Sequence, residues 1–176
     1  MKILSIIFFL IFNLGAAQSV SVAQKPKADL EAISKYAIKF GTGTDSDIYV
    51  FVDPLCDYSR ALIKKIDENK MLQLSNTYYV FLYRLPILNS EETIHYIYES
   101  LNPKETLIDI MVYEDEIELS NYKARQTTLD MIEEIADVAK SLDIKQRPYM
   151  ISFDKGSSYC RVSEGEASCL EEFDSH

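Results

Sequence analysis

The sequence predicts a single α/β domain, on three observations. Short runs rich in β-branched and aromatic residues alternate with stretches whose apolar residues recur at helical spacing. The clearest run, residues 48–52 (I-Y-V-F-V), lies between the polar Thr44-Asp45-Ser46-Asp47 and Asp53-Pro54, and a helical pattern carrying Leu62, Ile63 and Ile66 follows at once. A later short strand, residues 149–153, starts at Pro148.

From the amino terminus, Met1-Lys2 precede the apolar run I-L-S-I-I-F-F-L-I-F-N-L, which ends in Gly15-Ala16-Ala17. A basic residue, a short apolar run and a small-x-small site read as a secretory signal peptide over residues 1–17, cut after Ala17 or, as second choice, after Ala23. The competing reading is a membrane anchor, but a spanning helix needs about 20 apolar residues and this run is shorter. No cysteine follows closely enough for a lipoprotein anchor. Export places the mature chain where disulfides form and persist, with no membrane insertion once the signal is removed.

Removing residues 1–17 from the 176 leaves 159 and, with Lys2 gone, turns the formal charge of −10 into −11. That length supports one core and not two full domains. An acidic chain without a basic run speaks against nucleic acid and anionic membrane surfaces, and simple solubility accounts for the charge.

Residues 18–27 are a polar leader. Residues 28–40 place Leu30, Ile33, Ala37 and Phe40 on one helical face and stop at Gly41-Thr42-Gly43, so residues 18–45 read as leader and short helix ahead of the main domain, 46–176. A second strand is expected over 78–85, running into Pro86-Ile87-Leu88. Three helices follow over about 89–143. Asn89 with Glu92 caps the first, which carries Ile94, Ile97, Tyr98 and Leu101. Asn102-Pro103 with Glu105 opens the second, with Leu107, Ile110 and Met111. Thr127 opens the third, with Leu129, Ile132, Ile135, Ala136, Ala139 and Leu142. These stripes read as core and not as a cofactor box. After the strand at 149–153, Asp154-Lys155-Gly156 turns the chain into a last strand at 158–162.

Chemistry concentrates at Cys56, a lone cysteine where strand turns into helix. Unpaired N–H groups and the positive end of the helix dipole favour a thiolate there, making the sulfur nucleophilic near neutral pH. The stretch Val52-Asp53-Pro54-Leu55-Cys56-Asp57-Tyr58, with its V-D-P-x-C-x-Y, resembles the active-site turn of the DsbC/DsbG family of periplasmic thiol:disulfide interchange proteins. Pro86-Ile87-Leu88 is similar to the P-I-L that closes the matching strand in that family. The resemblance implies a thioredoxin-like fold with a helical insertion between the two halves of the sheet. It also implies a periplasmic location, and a G-T-P whose cis proline packs on the catalytic sulfur. Here Gln146-Arg147-Pro148 stands in that place, and a proline at the first position of a strand is the bland alternative. The family's usual C-x-x-C becomes Cys56-Asp57-Tyr58-Ser59, so a serine replaces the resolving cysteine. The family's N-terminal dimerisation domain has no counterpart ahead of residue 48, so the chain looks like the catalytic domain alone.

Cys56, Ser59 and Pro148 are therefore the candidate catalytic positions, and Asp57, Tyr58 and Arg147 the candidate client-binding or thiolate-tuning ones. The Arg147 guanidinium is placed to draw Cys56 toward the thiolate, against the like charge of Asp57. Cys160 and Cys169 flank a polar loop, and in an exported protein the default is a structural disulfide contributing about 2–3 kcal/mol. The alternative is that one of them resolves Cys56 from a distance. Three cysteines and His95 and His176 show no metal-ligand spacing, so neither metal nor cofactor is expected, and His95 reads as a surface or half-buried helix residue. The functional expectation is a monothiol interchange protein of isomerase or reductase type. Its clients would be exported proteins with cysteines or disulfides, and a membrane thiol reductant is the candidate recycling partner. The other reading is a thioredoxin-like binding or assembly module whose site has decayed.

Overall fold

The computed structural model describes residues 24–119, 122–154 and 160–164. The expected signal peptide with its two candidate cleavage sites, the residues Lys155 and Gly156 of the expected turn, and Cys169 lie outside them. Five strands form one sheet: β1 (Ile38–Phe40), β2 (Ser46–Val52), β3 (Asn76–Leu82), β4 (Tyr149–Asp154) and β5 (Cys160–Glu164), in the order β1-β3-β2-β4-β5. β2 and β3 are parallel, and the other three pairings are antiparallel. The helices are α1 (Gln24–Ile33), α2 (Asp57–Glu68), α3 (Lys70–Ser75), α4 (Glu91–Glu99), α5 (Pro103–Met111) and α6 (Gln126–Ser141).

Every residue of β2 from Ile48 to Val52 is buried, which explains its continuous apolar run: both faces of the sheet are covered. On one face Ile48, Val50, Val52, Val80 and Leu82 pack with Leu62, Ile63 and Ile66 of α2 and with α4 and α5. On the other, Tyr49, Phe51, Phe81 and Ile151 pack with Leu30 and Ile33 of α1 and Ile135 and Ala139 of α6. The alternation of two-fold strand side chains thus feeds two separate cores.

Four sequence expectations need correction. The helix expected over 28–40 ends at Ile33, and β1 takes Ile38–Phe40, where exposed Lys39 between buried Ile38 and Phe40 is a strand alternation. Phe40 fits both periodicities, and pairing with β3 decides for the strand. The sheet therefore draws its edge strand from the segment read as leader and helix. The strand expected over 78–85 runs from Asn76 to Leu82. The cap of α4 is Ser90 and not Asn89, and Leu101, expected on the apolar face of α4, is fully exposed at 108 % in the link to α5. Asn102, by contrast, caps α5 as expected, its side chain accepting from the Glu105 N–H. The sequence reading had no α3, which Asn69 caps by accepting from Met71 N–H and Leu72 N–H.

The loop before β2 is pressed against the α3–β3 junction. Thr42 N–H donates to Gln73 O (3.0 Å), Gly43 N–H to Asn76 O (3.2 Å) and Asp45 N–H to Ser75 O (2.9 Å). A Cβ on Gly43 would collide with the backbone of Ser75 and Asn76, and Gly41 adopts φ +75°. Farther on, the Glu99 carboxylate accepts from Arg125 N–H at the start of α6 (2.6 Å) and from Tyr122 OH (2.9 Å). The Arg125 N–H first, then the Thr128 side chain, hold the Glu99 carboxyl down at about 2, against the opposing effect of burial.

Gly43→Ala is expected to destabilise the domain by about 2–3 kcal/mol, lowering the thermal midpoint by roughly 5–10 °C. A depressed folded-state pKa contributes stability above the ordinary carboxylate value near 4.3 that disappears as pH falls through the folded value. The Arg125 amide resonance should accordingly titrate with a midpoint of about 2, and Glu99→Gln should remove that titration.

Candidate active site

The turn between β2 and α2 is built by Asp53. Its carbonyl accepts from Cys56 N–H (3.1 Å), closing the turn, and its N–H donates to Ser59 Oγ (3.3 Å). The carboxylate is fully buried and accepts three hydrogen bonds: Oδ1 from Leu55 N–H (2.9 Å), Oδ2 from Leu85 N–H (2.6 Å) and from Ser90 Oγ (2.7 Å). One side chain thus ties the cysteine turn, the segment after β3 and the start of α4 together. Ser90 spends its hydroxyl on Asp53, which is why it gives α4 no side-chain cap.

Cys56 is the N-cap of α2 and is 8 % exposed. Its Sγ lies 3.6 Å from the carbonyl oxygen of Arg147, to which the thiol donates. That carbonyl belongs to the cis peptide bond between Arg147 and Pro148, and Pro148 is buried. The chain therefore brings together two positions 91 residues apart.

Arg147 is 4 % exposed, and its guanidinium does not meet the sulfur through any hydrogen bond. It donates to four carbonyls: Tyr83 O (2.9 Å), Arg84 O (3.1 Å), Gln146 O (2.9 Å) and Ile144 O (3.4 Å). It also lies over the Tyr83 ring, 3.8 Å from its centroid, a cation–π arrangement. Burial lowers the guanidinium's pKa, while Tyr83, Asp53 and Cys56 oppose that shift through their charges. The sequence reading gave the thiolate-tuning role to this side chain. In the structure the side chain clamps four carbonyls, makes no hydrogen bond to the sulfur and interacts with Cys56 only through its charge, while the backbone carbonyl of the residue accepts from the thiol. The reason is supply: strand β3 ends at Leu82, so the carbonyls of Tyr83 and Arg84 leave the ladder and need donors.

Of the other expected site residues, Ser59 is fully buried, and Asp57 and Tyr58 are exposed, Tyr58 at 59 %. The two exposed side chains stand beside Cys56 on the solvent side of the first turn of α2. Cys160 opens β5, is half-buried and pairs with Phe153, which itself pairs with Asp47. This is the end of the sheet remote from Cys56, so Cys160 is badly placed to resolve it. Cys169 lies outside the described residues, and with it the expected Cys160–Cys169 bridge. His95, expected at the surface or half-buried on a helix, is on α4 and is buried, 9 % exposed. Among the described residues no cluster of histidine, cysteine and carboxylate side chains could hold a metal ion.

Tyr83 and Ser90 were not singled out from the sequence, and Asp53 entered only as part of the V-D-P-x-C-x-Y stretch, with no site role of its own. Asp53 carried a signal: an aspartate directly after five buried strand residues and directly before a proline has no solvent to face. Asp53→Ala would leave the buried Ser90 hydroxyl and the half-buried N–H groups of Leu55 and Leu85 without this acceptor. The expected loss is about 3 kcal/mol or more, measured as a lower denaturant midpoint, with a parallel loss of protection at the Leu85 amide.

No protein-family model matches the chain, and no curated protein matches it in sequence. Solved structures match it in shape. A disulfide interchange protein from Neisseria gonorrhoeae is 14 % identical, covering 80 % of this chain and 94 % of its own, with a TM-score of 0.59. Proteus mirabilis ScsC in a transitional conformation is 16 % identical over 85 % of this chain and 76 % of its own, at a TM-score of 0.59. Oxidised BdbD from Bacillus subtilis is 13 % identical over 80 % of this chain and 90 % of its own, at 0.56. The likeness is to disulfide-exchange proteins in general and not to DsbC or DsbG in particular. At such identities it is a likeness of architecture, and the chain has the thioredoxin-like α/β fold.

Proposed function

We propose that the chain is an exported thiol-disulfide interchange protein that works through Cys56, of isomerase or reductase type. The observation that carries this reading is the Cys56 sulfur at the N-terminus of α2, held 3.6 Å from the carbonyl of the cis Arg147–Pro148 bond. A helix N-terminus favours the thiolate, and the buried Arg147 guanidinium adds positive charge nearby. Exposed Tyr58 and Asp57 would touch the client, and the extended backbone at Pro148 offers it strand-like pairing.

In the reaction, the Cys56 thiolate attacks one sulfur of a client disulfide. A Cys56–client bond forms, the client bond breaks, and one client thiolate leaves and takes a proton from water. Ser59 has no sulfur to attack Cys56 Sγ and expel the second client sulfur, so a client thiolate or a small thiolate instead attacks that client sulfur, forms a new disulfide with it and expels Cys56 as the free thiolate. Such shuffling needs no net change in the number of disulfides. Clients are exported proteins bearing cysteines or disulfides, the compartment is the periplasm, and a membrane thiol reductant would keep Cys56 reduced. The near-complete burial of Cys56 favours a second reading, a binding or assembly module that keeps the fold without the chemistry.

Trapping distinguishes the two. Wild-type protein mixed with a disulfide client, quenched with alkylating agent and run without reductant, should show adducts that Cys56→Ala abolishes while keeping the wild-type circular dichroism. Ser59→Cys should gain reductase activity toward insulin. Absence of Cys56-dependent adducts together with an inert Ser59→Cys would leave the binding module as the function.

A further inference from the structure

We infer that Arg60 makes the Cys56 site selective for small carboxylate-bearing thiols, which the protein strips from the cysteines of its clients. The inference rests on Cys56 being the nucleophile and names the chemical class of its substrate. Its ground is a guanidinium at the cysteine turn that the fold leaves largely uncommitted. Arg84 faces the Glu91 carboxylate (3.4 Å), Arg125 faces Glu99 (3.3 Å), and Arg147 spends its donors on four carbonyls. Arg60 is half-buried, and its Nε donates to Pro54 O (2.8 Å). Among the described residues its side chain has no other partner, and Asp57, one turn earlier on α2, makes no ion pair with it.

Position turns this fork toward the sulfur. Cys56 is the N-cap of α2, and its carbonyl accepts from Arg60 N–H (2.9 Å), so the two residues stand one turn apart on the same side of the helix. Helical side chains lean toward the N-terminus, and the bond from Nε to Pro54, two residues before Cys56, holds this one in that direction. Guanidinium and sulfur therefore flank the same turn. A guanidinium carries five N–H donors in a plane, and with one of them used the remaining edge matches a carboxylate. At a formal charge of −10 the chain as a whole repels an anion, so selectivity for one must come from a cation at the site itself.

The substrate is a client cysteine that carries the small thiol as a mixed disulfide, with the carboxylate of that thiol on Arg60. The Cys56 thiolate attacks the small thiol's sulfur. A bond from Cys56 to that sulfur forms, the bond to the client breaks, and the client thiolate leaves and takes a proton from water. A second molecule of the small thiol, as thiolate, attacks the sulfur now attached to Cys56, forms a symmetrical small disulfide and expels the Cys56 thiolate. One disulfide disappears and one appears, with the client sulfur reduced and the second small thiol oxidised in its place. No step needs a second cysteine, in keeping with Ser59.

The test uses the full mature protein and a one-cysteine peptide capped through a disulfide with 3-mercaptopropionate, 2-mercaptoethanol or cysteamine, an anionic, a neutral and a cationic cap. Transfer of the cap to Cys56 is followed by mass spectrometry with peptide mapping, each rate divided by that of the neutral thiol N-acetylcysteine amide on the same peptide. Wild type should take the anionic cap about tenfold faster than the neutral one, the worth of one half-exposed charge-assisted pair, and added salt should shrink that preference. Arg60→Lys, which keeps the charge, should keep part of it, Arg60→Gln should lose it, and Arg60→Glu should turn it toward the cationic cap. A merely structural role for Arg60 could not produce that reversal. Equal relative rates for the three caps in wild type, or a preference that survives both Arg60→Gln and Arg60→Glu, overturns the inference. Absence of cap transfer while insulin still forms Cys56 adducts overturns it too and leaves Cys56 as nucleophile, whereas absence of both removes Cys56 chemistry itself.

Discussion

The buried carboxylate of Asp53 is the interaction on which the remainder of the site depends. Three donors converge on it from three separate pieces of chain, and its own backbone closes the turn that presents Cys56. A charge out of water is tolerable only when its lone pairs are occupied, and here all the neighbours that occupy them are backbone or hydroxyl groups of fixed position. The carboxylate thereby ties three separate segments of chain into one hydrogen-bonded frame.

Arg147 does the complementary task on the other side of the same frame. Where Asp53 collects donors, Arg147 supplies them, to the carbonyls of Tyr83 and Arg84 that β3 abandons and to those of Ile144 and Gln146 in its own loop. The segment from Tyr83 to Leu85 is gripped by the anion at its N–H and by the cation at its carbonyls. A planar fork with five donors suits that role, and a lysine would not reach four carbonyls at once. The result is a cis Arg147–Pro148 bond held in place against the sulfur by two buried ionised groups that never hydrogen-bond each other.

Much of this was legible in the sequence. The I-Y-V-F-V run, the cysteine after it and the helical spacing of Leu62, Ile63 and Ile66 are local signals, and local signals survive without tertiary information. The Asn102-Pro103-Glu105 cap is another, complete within four residues. What failed was non-local. Ile38–Phe40 is a strand because β3 lies beside it, and Phe40 would have suited a helix equally well. The N-cap position of α4 falls on Ser90 and not Asn89, and Ser90 gives it no side-chain cap because Asp53, 37 residues away, takes its hydroxyl. Arg147 was legible as a site residue but not in its orientation, which depends on where β3 stops.

The central position of β2 also governs when the site comes into being. Its neighbours β3 and β4 are reached only after a parallel crossover and after three further helices, so the contact between Cys56 and Arg147 joins positions 91 residues apart. Contacts of that separation close late, since the chain must first give up the entropy of a large loop. A chain emerging unfolded therefore carries Cys56 as an unshielded thiol well before β4 delivers its cover, with Cys160 and Cys169 equally free to collide with it. The burial of the sulfur in the finished fold thus protects a group that is most vulnerable during the protein's own maturation, and the order of strand assembly, more than the site itself, governs which cysteines first meet.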